Sequence, residues 1–142
     1  MKMSDKPYNR SYKGIFLWII FLFAANSSAV TLSDLIPEEY SVYLTMSTTI
    51  ICIDFLLYII YKTERIYWIN GVSYDEAKKA SSEERKVYAQ RHLAAFFNAT
   101  LLWFLYGIVK YLFSPPLWWD IAVSMVIIIG AAISTIKIKL HV

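Results

Sequence analysis

The sequence predicts an all-α fold, an integral membrane four-helix bundle with both termini cytoplasmic and a helical cytoplasmic loop. Three observations predict it. Four long apolar stretches, divided by charged or proline-containing breaks, fill most of the 142 residues. The composition is 58% hydrophobic and only 18% charged, with a mean hydropathy of +0.46, more apolar surface than a soluble core of this size can hide. Finally, 13 of the 14 Lys and Arg residues fall on one side of the membrane that the stretches imply. Four spans of about 20 residues and one loop of about 30 account for the chain, so a single transmembrane domain over residues 1–142 is expected.

The first span, about 14–35, follows Lys2, Lys6, Arg10 and Lys13. It admits two readings. Ser27 and Ala29 are small residues placed as at the cleavage site of a signal peptide, after an apolar run of about 12 residues. The segment nevertheless continues to Leu35 and Ile36, a bilayer-crossing length at about 1.5 Å per residue, which favours a retained helix. Pro37 then suits the first turn of a new helix, and Glu38 and Glu39 favour its positive end. That second span, about 39–61, stops at Lys62-Thr63-Glu64-Arg65. The third, about 93–113, ends at Ser114-Pro115-Pro116, where two prolines forbid continuation. The fourth, about 117–137, opens on Leu117-Trp118-Trp119 and closes at Lys137 and Lys139.

Orientation follows from the basic residues of the amino-terminal tail, the central loop and the carboxy-terminal tail; only Lys110 lies near the opposite face. The positive-inside rule puts all three segments in the cytoplasm, with Tyr67 and Trp68 marking one interface and Trp118 and Trp119 the other.

The loop, 62–92, contains two helix-start patterns. Ser73 precedes Glu76, and Ser81 precedes Glu84, each at the Ser-x-x-Glu spacing of a capping box. They predict a short helix over 74–80 and a second one from Ser82 running unbroken into the third span. The loop's mixed charges read as a solvated face in contact with headgroups. Nucleic acid is a poor partner, because Asp75, Glu76, Glu83 and Glu84 are interleaved with the bases.

Asn70-Gly71-Val72-Ser73-Tyr74, then Ser81-Ser82-Glu83-Glu84-Arg85-Lys86-Val87-Tyr88 and Arg91, lead directly into a hydrophobic helix. This run, within 69–113, resembles an uncharacterised family of small bacterial membrane proteins. Some of its relatives look like the membrane part of peptide-toxin immunity proteins. Val72 departs from the family's pattern, which tends to an aromatic there. The resemblance implies a membrane fold without established chemistry, and a role in immunity or as an accessory subunit of an exporter.

Inside the spans, Asp54 lies eight residues from Lys62 and thus roughly 12 Å within the boundary. An ionised carboxylate there costs on the order of several kcal/mol unless paired, hydrated or protonated, so Asp54 is expected to face other helices. It reads either as a proton or cation site or as a packing hydrogen bond with Asn98, Ser134 or Thr135. Tyr40, Tyr43, Thr45, Ser47, Thr48 and Thr49 form a polar stripe above it that could line a shallow outward cavity. Gly130 and Ser134 make a small-xxx-small pair, suited to a tight helix contact within the chain or to a homodimer seam. Asn26 marks the polar approach to the outer interface, and Lys110 should snorkel outward, toward Asp120. Cys52 reads as a small buried hydrophobe. His92 and His141 lack metal-ligand spacing, so no metal and no cofactor is expected.

The expected function is protein or peptide interaction, as an immunity or accessory subunit of a membrane exporter. The alternative is a homodimeric proton-coupled small permease using Asp54. An enzyme is a distant third, because no His, Ser or carboxylate cluster shares one depth.

Overall fold

The computed structural model describes residues 8–69 and 71–140; Lys2, Lys6, Asn70 and His141 lie outside them. Five α-helices follow in order: α1 Lys13–Ser33, α2 Glu38–Thr63, α3 Tyr74–Lys79, α4 Ser82–Phe113 and α5 Leu117–Thr135, with a 3₁₀ turn at Ile66–Trp68. No strand occurs among the described residues. Helices α1, α2, α4 and α5 are long and apolar enough to cross a membrane.

Both capping boxes are present. The Glu76 amide donates to Ser73 Oγ at 3.2 Å and the Ser73 amide to Glu76 Oε2 at 2.7 Å. The Ser81 and Glu84 pair repeats the exchange at 3.2 and 2.6 Å. The second box starts α4, which runs 32 residues without a break from the charged loop into the apolar stretch. Pro37 stands at the N-cap of α2, one position earlier than the first turn. Two non-glycine residues with positive φ close helices, Glu64 (59°) after α2 and Ser114 (43°) after α4.

Helix α2 is the centre of the bundle. It packs against α1 on one flank and against α4 and α5 on the other, while α4 and α5 pack together across the Ser114–Pro116 turn. Gly107 of α4 permits the closest approach: a Cβ there would run into the phenol of Tyr43 on α2. Tyr43 in turn stacks on Trp103, with ring centroids 4.9 Å apart, and Trp103 Nε1 donates to Ser47 Oγ at 2.8 Å. Helix α1 is held by Trp18 Nε1 donating to the Cys52 carbonyl at 2.9 Å and by Thr49 Oγ1 donating to Asn26 Oδ1 at 2.8 Å.

The main buried cluster lies at the loop end of the bundle, around Ile60, Ile66, Ala77, Tyr88 and Ala89. The residues just before α1 are built into it. Tyr8 donates to the Glu64 carbonyl at 2.7 Å, Tyr74 donates to the Tyr8 carbonyl at 2.5 Å, and Tyr67 and Trp68 both donate to the Ser11 carbonyl. Ile138 and Leu140 pack on the same cluster, so the described parts of both tails and the loop share one end. Tyr67 is therefore only 8% exposed, packed into this cluster rather than turned outward, whereas Trp118 stands 62% exposed.

Candidate functional site

Asp54 on α2 meets Thr100 on α4. Thr100 Oγ1 donates to Asp54 Oδ2 at 2.6 Å. The other oxygen, Oδ1, is buried and is the one buried side-chain polar atom among the described residues that has no hydrogen-bond partner. Asp54 and Thr100 lie in a groove of about 630 Å³ whose walls include Ile51, Phe55, Phe97 and Phe104. Those four side chains are 46–52% exposed, so the groove opens on the outside of the bundle.

The expected partners of Asp54 are corrected. Asn98 is exposed and points away, because two residues of helix separate it from Thr100 by about 200°. Ser134 and Thr135 donate to their own helix, at the Ala131 and Ala132 carbonyls, which costs no interhelical contact. Gly130 has nothing within 4 Å of a built Cβ and Ser134 is exposed, so the pair makes no tight contact within the chain. The polar stripe does not line an outward cavity above Asp54. Thr45, Ser47, Thr48 and Thr49 donate to carbonyls one turn back, and the Tyr43 and Trp103 rings fill the space between α2 and α4. Asn26 spends its amide on the Leu22 carbonyl and its oxygen on Thr49, joining α1 to α2.

Near the opposite end of the bundle, Lys110 meets its expected partner Asp120 but is buried with it rather than snorkelling outward. Its side chain is 2% exposed and its Nζ lies 2.8 Å from Asp120 Oδ2. Tyr106 donates to Asp120 Oδ1 at 2.6 Å, and Lys110 Nζ sits 5.5 Å from the centroid of the Tyr40 ring. The pair spans α4 and α5, and each charged group has a partner, the condition on which a buried ion pair is tolerated.

At the loop end, Glu64 gathers a second network. Ser82 Oγ donates to Oε1 at 2.6 Å, and Arg85 donates to Oε2 through Nε and Nη2 at 3.0 and 2.8 Å. Arg85 Nη1 also donates to the Ala77 and Ala80 carbonyls, and the guanidinium lies 4.4 Å from the Tyr8 ring centroid. Burial alone would push the Glu64 carboxyl up, but the bonds from Ser82 and Arg85 and the Arg85 charge hold it below its ordinary value. Burial pushes the Tyr8 phenol up to about 12, against the opposing pull of Arg85. This part of the loop is thus a bonded cap rather than the solvated face expected of it, because Arg85 supplies donors to carbonyls that α3 leaves open. Ser73, Glu76, Ser81 and Glu84 serve the starts of α3 and α4.

Among the described residues no group of His, Cys, Asp and Glu could hold a metal ion. Sequence reasoning missed Thr100, Gly107 and Trp103, although a hydroxyl two residues beyond Asn98 and a mid-span glycine four residues from a tryptophan were visible pointers. No known protein-family model, curated protein or solved structure matches this chain, so its role has to be read from these side chains.

Proposed function

We propose that the chain is a multi-pass protein of the cell membrane, with its loop end and both termini cytoplasmic, that acts by protein or peptide interaction as an immunity or accessory subunit of a membrane exporter. The groove between α2 and α4 receives a membrane-embedded segment of the partner. The observation that carries this reading is the unpartnered Asp54 Oδ1, buried beside an outward-facing apolar groove. In hydrocarbon an unsatisfied polar atom costs several kcal/mol, and no water is at hand to answer it. A hydrogen-bond donor on a helix seated against Phe97 and Phe104 would remove that cost and give the contact its register. The bias of Lys and Arg supports the orientation.

A photo-crosslinking residue at Phe97, activated in native membranes, tests this reading. A discrete adduct with a second polypeptide is expected, lost in Asp54→Leu and retained in Asn98→Leu, which alters the opposite face. Adducts with lipid alone, or an adduct indifferent to Asp54, would sink it. A homodimeric proton-coupled permease is the second reading, favoured by the exposed Gly130 and Ser134 as a seat for a second copy. It requires an adduct of twice the chain mass, and Asp54→Asn that abolishes resistance to hydrophobic cations at normal expression.

A further inference from the structure

A larger cavity, of about 730 Å³, lies at the loop end, apart from the Asp54 groove. Leu57 and Ile60 of α2, Phe96 of α4 and Ala132 of α5 line it, and its two charged lining residues are Glu76 of α3 and Lys139 of the carboxy-terminal tail. The volume falls within the roughly 300–1,000 Å³ typical of small-molecule sites. The lining is mainly apolar with a polar share, which suits a ligand that has both an apolar chain and a polar group. Among its other polar lining residues, with Thr135 and Tyr88, is His92, 4% exposed. Its Nδ1 hydrogen donates to the Tyr88 carbonyl at 3.0 Å, which leaves Nε2 as an acceptor, and no described residue donates to it.

The two charges differ in how far they are committed. Glu76 Oε2 accepts from the Ser73 amide at 2.7 Å, and that backbone bond holds its carboxyl below the ordinary value, so it remains an anion. Lys139 is exposed and forms no ion pair with a described carboxylate. An anionic headgroup would satisfy Lys139 and be repelled by Glu76, and a purely cationic one would do the reverse. A headgroup carrying both signs suits both.

We propose that this cavity binds an acyl chain of a zwitterionic, ammonium-bearing glycerophospholipid, the chain against Leu57, Ile60 and Phe96, the phosphate at Lys139 and the ammonium at Glu76. The proposal rests on the membrane placement above, which brings the cavity to the depth of the cytoplasmic headgroups, but not on the partner groove.

The test is native mass spectrometry of the purified full chain in detergent, titrated with phosphatidylethanolamine and with phosphatidylglycerol of identical acyl chains. Wild-type protein should retain the ethanolamine lipid in preference. Glu76→Gln should lower that preference about 2- to 5-fold, and Lys139→Gln should lower retention of both lipids by a similar factor, the range of an exposed ion pair. Gln at position 76 can still close the capping box, so the helix start is preserved while the charge is lost. Ala132→Phe, which fills the cavity, should abolish retention of both lipids; if it does not fold, the two Gln variants carry the test unaided. Equal retention of both lipids, no bound lipid in wild type, or Gln variants like wild type would overturn the proposal. Failure of the Phe97 crosslink would leave this readout untouched, so the two proposals fail separately.

Discussion

Asp120 and Asp54 both lie in apolar helices, yet Asp120 is 0% exposed with its two oxygens bonded to Tyr106 and Lys110, while Asp54 bonds Thr100 through one oxygen and leaves the other empty. Each occurs once in its helix, and neither has a second acid beside it. The difference lies in what surrounds them. Lys110 is one helical turn from Tyr106 on the same face of α4, so both reach the same carboxylate on α5 and close it off. Thr100 supplies Asp54 with a single hydrogen and stands beside aromatic walls that supply none. A carboxylate satisfied by its own chain locks two helices. One left half-satisfied beside a groove joins its two helices through a single bond.

Breaking the closed site should have the largest effect. Lys110→Met leaves Asp120 buried without its cation and is expected to cost about 3–5 kcal/mol, read from thermal unfolding in detergent. The double variant Lys110→Met with Asp120→Leu should recover most of that loss, since an apolar pair carries no desolvation cost. A double variant as unstable as the single would show that the ion pair is not what joins α4 to α5. Gly107→Ala comes next, at about 1–3 kcal/mol, because the added methyl must displace the Tyr43 ring from its stack on Trp103. Tryptophan fluorescence should report the shift.

The open site should respond in the contrary direction. Asp54→Leu is expected to leave stability unchanged or raise it by up to about 1 kcal/mol, because it removes an unsatisfied group at the expense of one hydrogen bond. A loss comparable to that of Lys110→Met would mean that the two aspartates are alike and the comparison is wrong. The smallest effect is expected at Glu64. Its folded-state carboxyl lies below the ordinary value of 4.5, so its contribution is complete above that pH and fades as pH falls through the folded value. Protection of residues 64–85 against hydrogen exchange, taken relative to the intrinsic rate, should fall below about pH 4.5 in wild type and fall less in Glu64→Gln, where only Glu76 of the two depressed carboxyls remains.

What could be read from the sequence was what depends on neighbours along the chain. The apolar stretches, the proline stop at Pro115-Pro116 and the two capping boxes are each written within a few residues, and each is present. What could not be read depends on how helices are rotated against each other. Asn98 and Thr100 are at nearly the same depth, and only the rotation of α4 decides which meets Asp54. Gly130 and Gly107 are both mid-span glycines, and only packing shows that Gly107 is the one pressed by another helix. The reach of Arg85 to Glu64 joins residues 21 apart, across a turn and a short helix whose path no local pattern specifies.

The seat of the amino-terminal segment also sets an order of events in biosynthesis. Tyr8 bonds the Glu64 carbonyl, 56 residues later, and is bonded by Tyr74, 66 residues later. At about 5–20 residues per second, Tyr8 is synthesised roughly 3–11 s before Glu64. During that interval the first helix has no fixed footing on the loop, and its leading end is seated only once the loop has been made.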